Sequence, residues 1–149
     1  TKQTVDLVSV KTVEASIYNL TKHIFAKDIK ASLSCLDELF FMKIAPMFIL
    51  YSISSAYVDM FRYCSAKEND IETSKIFEVF DYKGREFLIE KAAQNFRKID
   101  RKKLDLSLEA LVSADKDMKS FNCDERIILE QLIVRLIYIA IKGETIDKA

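Results

Sequence analysis

Two glycines and one proline are all the backbone punctuation that 149 residues contain. A chain of tight hairpins needs glycine at its turns, and a phosphate-cradling loop needs it for close backbone approach. An all-β domain and a Gly-rich nucleotide site are therefore both disfavoured. Helices joined by short polar connections meet the constraint.

The apolar spacing agrees. Val13, Ile17, Leu20 and Ile24 recur at i, i+3, i+4 and predict a helix near Lys11–Phe25, after a short opening turn over Thr4–Ser9. Asp28 is placed to cap a second helix near Ile29–Phe41, with Ile29, Leu33, Leu36, Leu39 and Phe40 inward. Pro46 suits the first turn of a third helix, which runs to about Ala66 and is apolar on several faces. A short helix near Ile71–Val79 and a turn over Asp81–Glu86 follow. A fifth helix spans about Arg85–Phe96 with Phe87, Leu88, Ala92 and Phe96 in register. A sixth spans about Arg101–Lys119 with Leu104, Leu108, Leu111 and Val112 inward, and Asn122 or Asp124 caps a seventh. Gly143 stops that helix, leaving a tail expected to fray over 143–149. The fold class is all-α: one bundle of six to seven helices over 11–142, with 1–10 a stub of a preceding domain or a linker.

Charge and cysteine use narrow the function classes. Lys+Arg and Asp+Glu are both 23, so no whole-domain pull toward nucleic acid or an anionic membrane is expected. Cys35, Cys64 and Cys123 are odd in number and without a CxxC, which points to reduced thiols inside a cell. The opening TKQTVDLVSV has no apolar segment of a secretory signal and no initiator Met, so a piece of a longer protein is expected. The uncharged stretch Ile44–Val58 is 15 residues, short of the roughly 20 a membrane span needs.

Chemical motifs are scarce. GxxxxGK[ST], GxGxxG and HExxH are all absent, and no cofactor or metal is called for. His23 is the single histidine and reads as a half-exposed helix residue. In LVSADKDMKS (111–120), Asp115 and Asp117 lie i, i+2, which on a helix points them about 200° apart. Asp115 and Lys119 lie i, i+4 with the acid first, the favourable order for an ion pair. Arg97, Lys98, Arg101, Lys102 and Lys103 form a basic cluster at the fifth-to-sixth helix junction. Phosphate contact there competes with the plainer reading of solvated cations near a helix C-terminus. Tyr51, Tyr57, Phe61 and Tyr63 would serve as a stacking platform, but aromatics at helical spacing are more often core.

The order of these motifs resembles the C-terminal domain of the delta subunit of the bacterial DNA polymerase III clamp loader. In SIYNLTKHIFAKDIKASLSCLDELFFMKIAPMFIL, the resemblance rests on Tyr18 and Leu20, then Asp28, Ala31, Leu36 and Leu39, then Pro46, Ile49 and Leu50. In LDLSLEALVSADKDMKSFNCDERIILEQLIVRL it rests on Ala114, Asp115, Lys119, Glu130 and Leu136. Three departures stand out. Lys43 occupies a position usually glycine in that family, Val58 follows Tyr57 where arginine is common, and no proline occurs around Tyr82–Arg85.

The resemblance implies a collar domain. In that family two AAA+-like N-terminal domains precede it and bind the sliding clamp, and delta does not hydrolyse ATP. The collar domains of five subunits hold the loader together during DNA replication. The expected partners are then other clamp-loader subunits, with the clamp reached only through the N-terminal domains. DNA contact stays open, no membrane is involved, and the bacterial cytoplasm is the expected place. Excess apolar surface on the third and seventh helices nominates Tyr57, Phe61, Leu132, Arg135 and Tyr138 as an inter-subunit face. Asp115 and Lys119 are expected as a structural polar pair. The alternatives are a stand-alone helical adaptor, the collar domain of a sister loader subunit, and, more distantly, a small helical enzyme or ligand carrier.

Overall fold

Side-chain caps and left-handed residues set the helix boundaries. The computed structural model describes residues 2–146, with side chains described for 13–146. Helix α1 (Lys2–Phe25) is continuous through the stretch expected to hold a separate turn. No glycine or proline interrupts that stretch. Asp28 accepts from the Ala31 amide at 3.0 Å and starts α2 (Ile29–Phe41). Pro46 opens α3 (Pro46–Glu68), where its missing N–H has no partner to lose. A 3-10 turn (Thr73–Lys75) runs into the single-turn α4 (Ile76–Val79), followed by α5 (Phe87–Phe96). Asp100 caps α6 (Arg101–Met118), accepting from Lys103 N at 2.8 Å. Of the two expected caps for α7 (Glu125–Lys142), Asp124 is the one used; it accepts from Ile127 N at 3.1 Å. Each such cap contributes about 1 kcal/mol. Gly143, at φ 71, ends α7 as expected, and residues 144–146 have no regular structure. The rest of the tail, 147–149, lies outside the described residues.

The bundle is built on two helices. α3 touches α1, α5, α6 and α7, and α7 touches α1, α2, α3 and α6. Among them lie Leu20, Leu36, Leu39, Ile53, Met60, Leu104, Leu129, Leu132 and Leu136, all essentially inaccessible to solvent. Full burial of one such side chain contributes about 1.5–3 kcal/mol. A separate satellite cluster, Ala66, Ile76, Tyr82 and Ile89, sits under the α4–α5 region.

Three residues expected to face inward do not. Ile29 and Phe87 are exposed because each is the first residue of its helix. A first-turn side chain leans back past the start of its helix, away from the facing helices. Val112 is exposed because it lies one residue beyond buried Leu111, about 100° around α6.

Candidate protein-interaction surface

α3 carries two apolar stripes of the same spacing, one residue apart. The inner stripe, Leu50, Ile53, Tyr57, Met60 and Cys64, is buried. The outer stripe runs Met47, Tyr51, Ser54, Val58, Phe61 and Ser65, alternating four and three residues. That is the seam spacing of a helix that packs on another helix. Here it faces outward, and Tyr51 is 69% exposed.

Tyr51 forms a ridge between two grooves. One, about 340 Å³, lies between α3 and α6, lined by Met47, Val58, Leu108 and Val112, with Asp115 on it. The other, about 500 Å³, lies between α3, α1 and α5, lined by Tyr18, Phe48, Phe87 and Lys91. Lys91 donates to the Tyr18 hydroxyl and stands 4.4 Å from its ring centroid, tying α5 to α1. A third groove, about 490 Å³, continues along the C-terminal half of α3 between Phe61, Ile71, Val79 and Phe80.

The nominated inter-subunit residues divide. Tyr57 and Leu132 are 3% and 1% exposed and belong to the core, so another chain cannot reach them. Tyr57 packs against Phe25 with ring centroids 5.1 Å apart, and burial pushes its hydroxyl pKa well up. The apolar excess of α7 is absorbed because four helices surround it. Phe61 is exposed, whereas Arg135 and Tyr138 are half-buried; Arg135 borders a shallow groove with Glu109 and Ile146. Tyr51, named from the sequence only as a stacking aromatic and not among the inter-subunit residues, is the most exposed residue of the outer stripe. The spacing of its stripe was readable, but not which of two adjacent stripes turns outward.

The polar candidates are mostly structural. Lys119 Nζ meets Asp115 Oδ2 at 2.8 Å, the i, i+4 pair the sequence indicated. In the basic cluster, Arg101 is committed within its own chain. It reaches Glu68 at 2.8 Å and Asp105 at 2.9 Å, and its guanidinium lies over the Phe61 ring. Arg97, Lys98 and Lys102 are exposed, and the Lys103 stem runs beside Gly143. His23 sits half-exposed in the last turn of α1. All three cysteines are free thiols, and burial raises the pKa of Cys35 and Cys64. Among the described residues, no cluster of three or more metal-ligating side chains forms and no helix is long and apolar enough to cross a membrane.

One polar cluster had no sequence signal. Asp59 is buried on α3 and accepts from the hydroxyl of Tyr82, to which Arg62 donates at 2.8 Å. Desolvation raises the Asp59 pKa, against the pull of the Tyr82 hydrogen bond and of Arg62 and Arg85.

Comparison with known proteins adds to this geometry. The family described as DNA polymerase III delta subunit, C-terminal domain, matches residues 14–136. A solved structure of the Bacillus subtilis DNA clamp loader delta protein (YqeN) superimposes with a TM-score of 0.72 at 22% sequence identity. The match covers 85% of this chain and 37% of that one, so the chain spans well under half of that protein, and the likeness is one of fold. No curated protein matches the chain.

Proposed function

The chain belongs to the family of C-terminal domains of DNA polymerase III delta subunits, and on that premise we propose that it is a non-catalytic oligomerisation unit. It joins other clamp-loader subunits side by side in a collar that holds the loader together while the sliding clamp is placed on DNA. The observation that carries this reading is the outward stripe of α3. Met47, Tyr51, Val58 and Phe61 present seam spacing along open grooves, with Tyr51 the most exposed of them. A helix from a neighbouring collar domain is the occupant that such spacing fits. Tyr51, a large and exposed aromatic between two grooves, has the character of an interface anchor. On this reading contact with the clamp falls to other parts of a delta subunit. Nucleotide hydrolysis falls to other subunits, and the protein works in the bacterial cytoplasm. Arg97, Lys98 and Lys102 remain available for a secondary phosphate contact.

The test is co-expression with the loader subunits of the same bacterium. The double variant Tyr51→Asp, Val58→Asp is expected to lose co-purification while keeping its helical circular dichroism and melting temperature. An intact complex containing the double variant would sink the reading.

A further inference from the structure

The segment between α3 and α5 is attached differently from the rest of the fold. Its two ends carry left-handed backbone, Asp70 at φ 52 and Gly84 at φ 77. Its apolar anchors are Ile76 and Tyr82, which join the satellite cluster and not the main core. Ile71, Phe77, Val79 and Phe80 stay substantially exposed. The helix that the 3-10 turn and α4 rest on is α3. α5, by contrast, is held in the main core by Ala92 and by Phe96, which packs edge-on to Tyr63.

Polar contacts add to these two anchors, Ile76 and Tyr82. Tyr82 donates to Asp59, Arg62 donates to Tyr82, and the Arg62 guanidinium lies 3.7 Å from the Phe80 ring centroid. This cluster also stands between two grooves. Asp59 and Arg85 line the one against α1 and α5, whereas Arg62, Ile76 and Phe80 line the one at the end of α3.

We propose that residues 70–86 form a strap that opens from α3 as a unit, with Asp59, Arg62 and Tyr82 as its latch, joining the two grooves into one continuous surface along α3. A segment with few buried apolar contacts opens at lower free energy than the core that carries it. Glycine at Gly84, with open space around it, and the left-handed Asp70 are suitable pivots. The inference stands independently of the collar reading.

Amide hydrogen exchange on the 149-residue chain tests it. In the wild type, amides within 71–83 are expected to exchange together, at least about tenfold faster than those in the middle of α6 and α7. Tyr82→Phe, which removes a hydrogen bond to a charged group, is expected to speed the strap about tenfold or more and leave α6 and α7 unchanged. Val79→Ser, on the exposed side of the strap, is expected to change little. Strap amides as protected as α7 in the wild type would overturn the proposal, whether or not the variants fold. So would uniform acceleration by Tyr82→Phe, or an equal effect from Val79→Ser.

Discussion

The hydroxyl of Tyr82 donates to Oδ1 of Asp59, 23 residues away, and Arg62 donates to the same hydroxyl. Burial gives Asp59 an unusual pH behaviour. Desolvation outweighs the hydrogen bond and the nearby arginines, so its folded pKa is raised. The folded state then holds the proton more tightly than the unfolded chain does. The stability contributed by this group is full below the unfolded pKa and is lost as pH rises through the folded one. Relative to Asp59→Asn, the wild type is therefore expected to gain stability as pH falls from about 7 toward about 4. Urea unfolding of both proteins across that range measures it. A difference that does not vary with pH would contradict the raised pKa.

Arg101 fastens the start of α6 to the end of α3. Its Nη1 meets Glu68 at 2.8 Å, its Nε meets Asp105 at 2.9 Å, and its Cζ lies 4.9 Å from the Phe61 centroid. Exposed pairs contribute about 0.2–1 kcal/mol each, and the stacked guanidinium adds packing. Arg101→Ala is expected to cost about 1 kcal/mol by urea unfolding with an unchanged m-value. Arg101→Lys is expected to recover little of that, because one ammonium cannot reproduce the fork that serves two carboxylates. Full rescue by lysine would show that charge alone is at work.

How far the sequence could be read follows from the range of each signal. Helix existence rests on local periodicity, and Asp28, Pro46, Asp124 and Gly143 mark ends within a few residues of themselves. The family resemblance rests on the order of those same local signals. Facing is harder, because α3 repeats its spacing on two stripes one residue apart. Tyr57 and Tyr51 thus look alike until neighbouring helices cover one of them. The Asp59–Tyr82 contact was out of reach for a different reason. It joins a helix to a turn, and nothing local in either segment names the other.

The two stripes of α3 and the buried face of α7 predict opposite mutational responses. Leu132→Ala leaves a cavity among α7 and its neighbours and is expected to cost about 2–5 kcal/mol. Tyr51→Ala, on the ridge between grooves, is expected to change stability by no more than about 0.5 kcal/mol. Chemical denaturation of the two variants separates core from surface without any partner present. A large loss at Tyr51 would mean that the outer stripe is part of the fold and not an unoccupied seam.

Glycine scarcity leaves a mark on the helix ends. Of six left-handed residues in the described chain, only Gly84 and Gly143 are glycine. Lys43, at φ 59, ends α2 in a Schellman arrangement: its amide donates to Phe40 O at 2.9 Å and the Ile44 amide donates to Leu39 O at 3.1 Å. A lysine there carries about 1–2 kcal/mol of left-handed strain that glycine lacks. Glycine gives back about 0.4–1 kcal/mol through the larger entropy of its unfolded chain. The strain is the larger of the two, and the Lys43 side chain is exposed, so little packing is lost with it. Lys43→Gly is therefore expected to stabilise the protein by about 0.5–1 kcal/mol. Gly143→Ala is expected to destabilise by about 1 kcal/mol. An added Cβ there meets only the Lys103 stem at an ordinary 3.6 Å, so its cost is conformational. Paired thermal and urea unfolding decides the sign at each site. A destabilised Lys43→Gly would show that the stem of Lys43 holds the α2–α3 turn more firmly than its backbone strain loosens it.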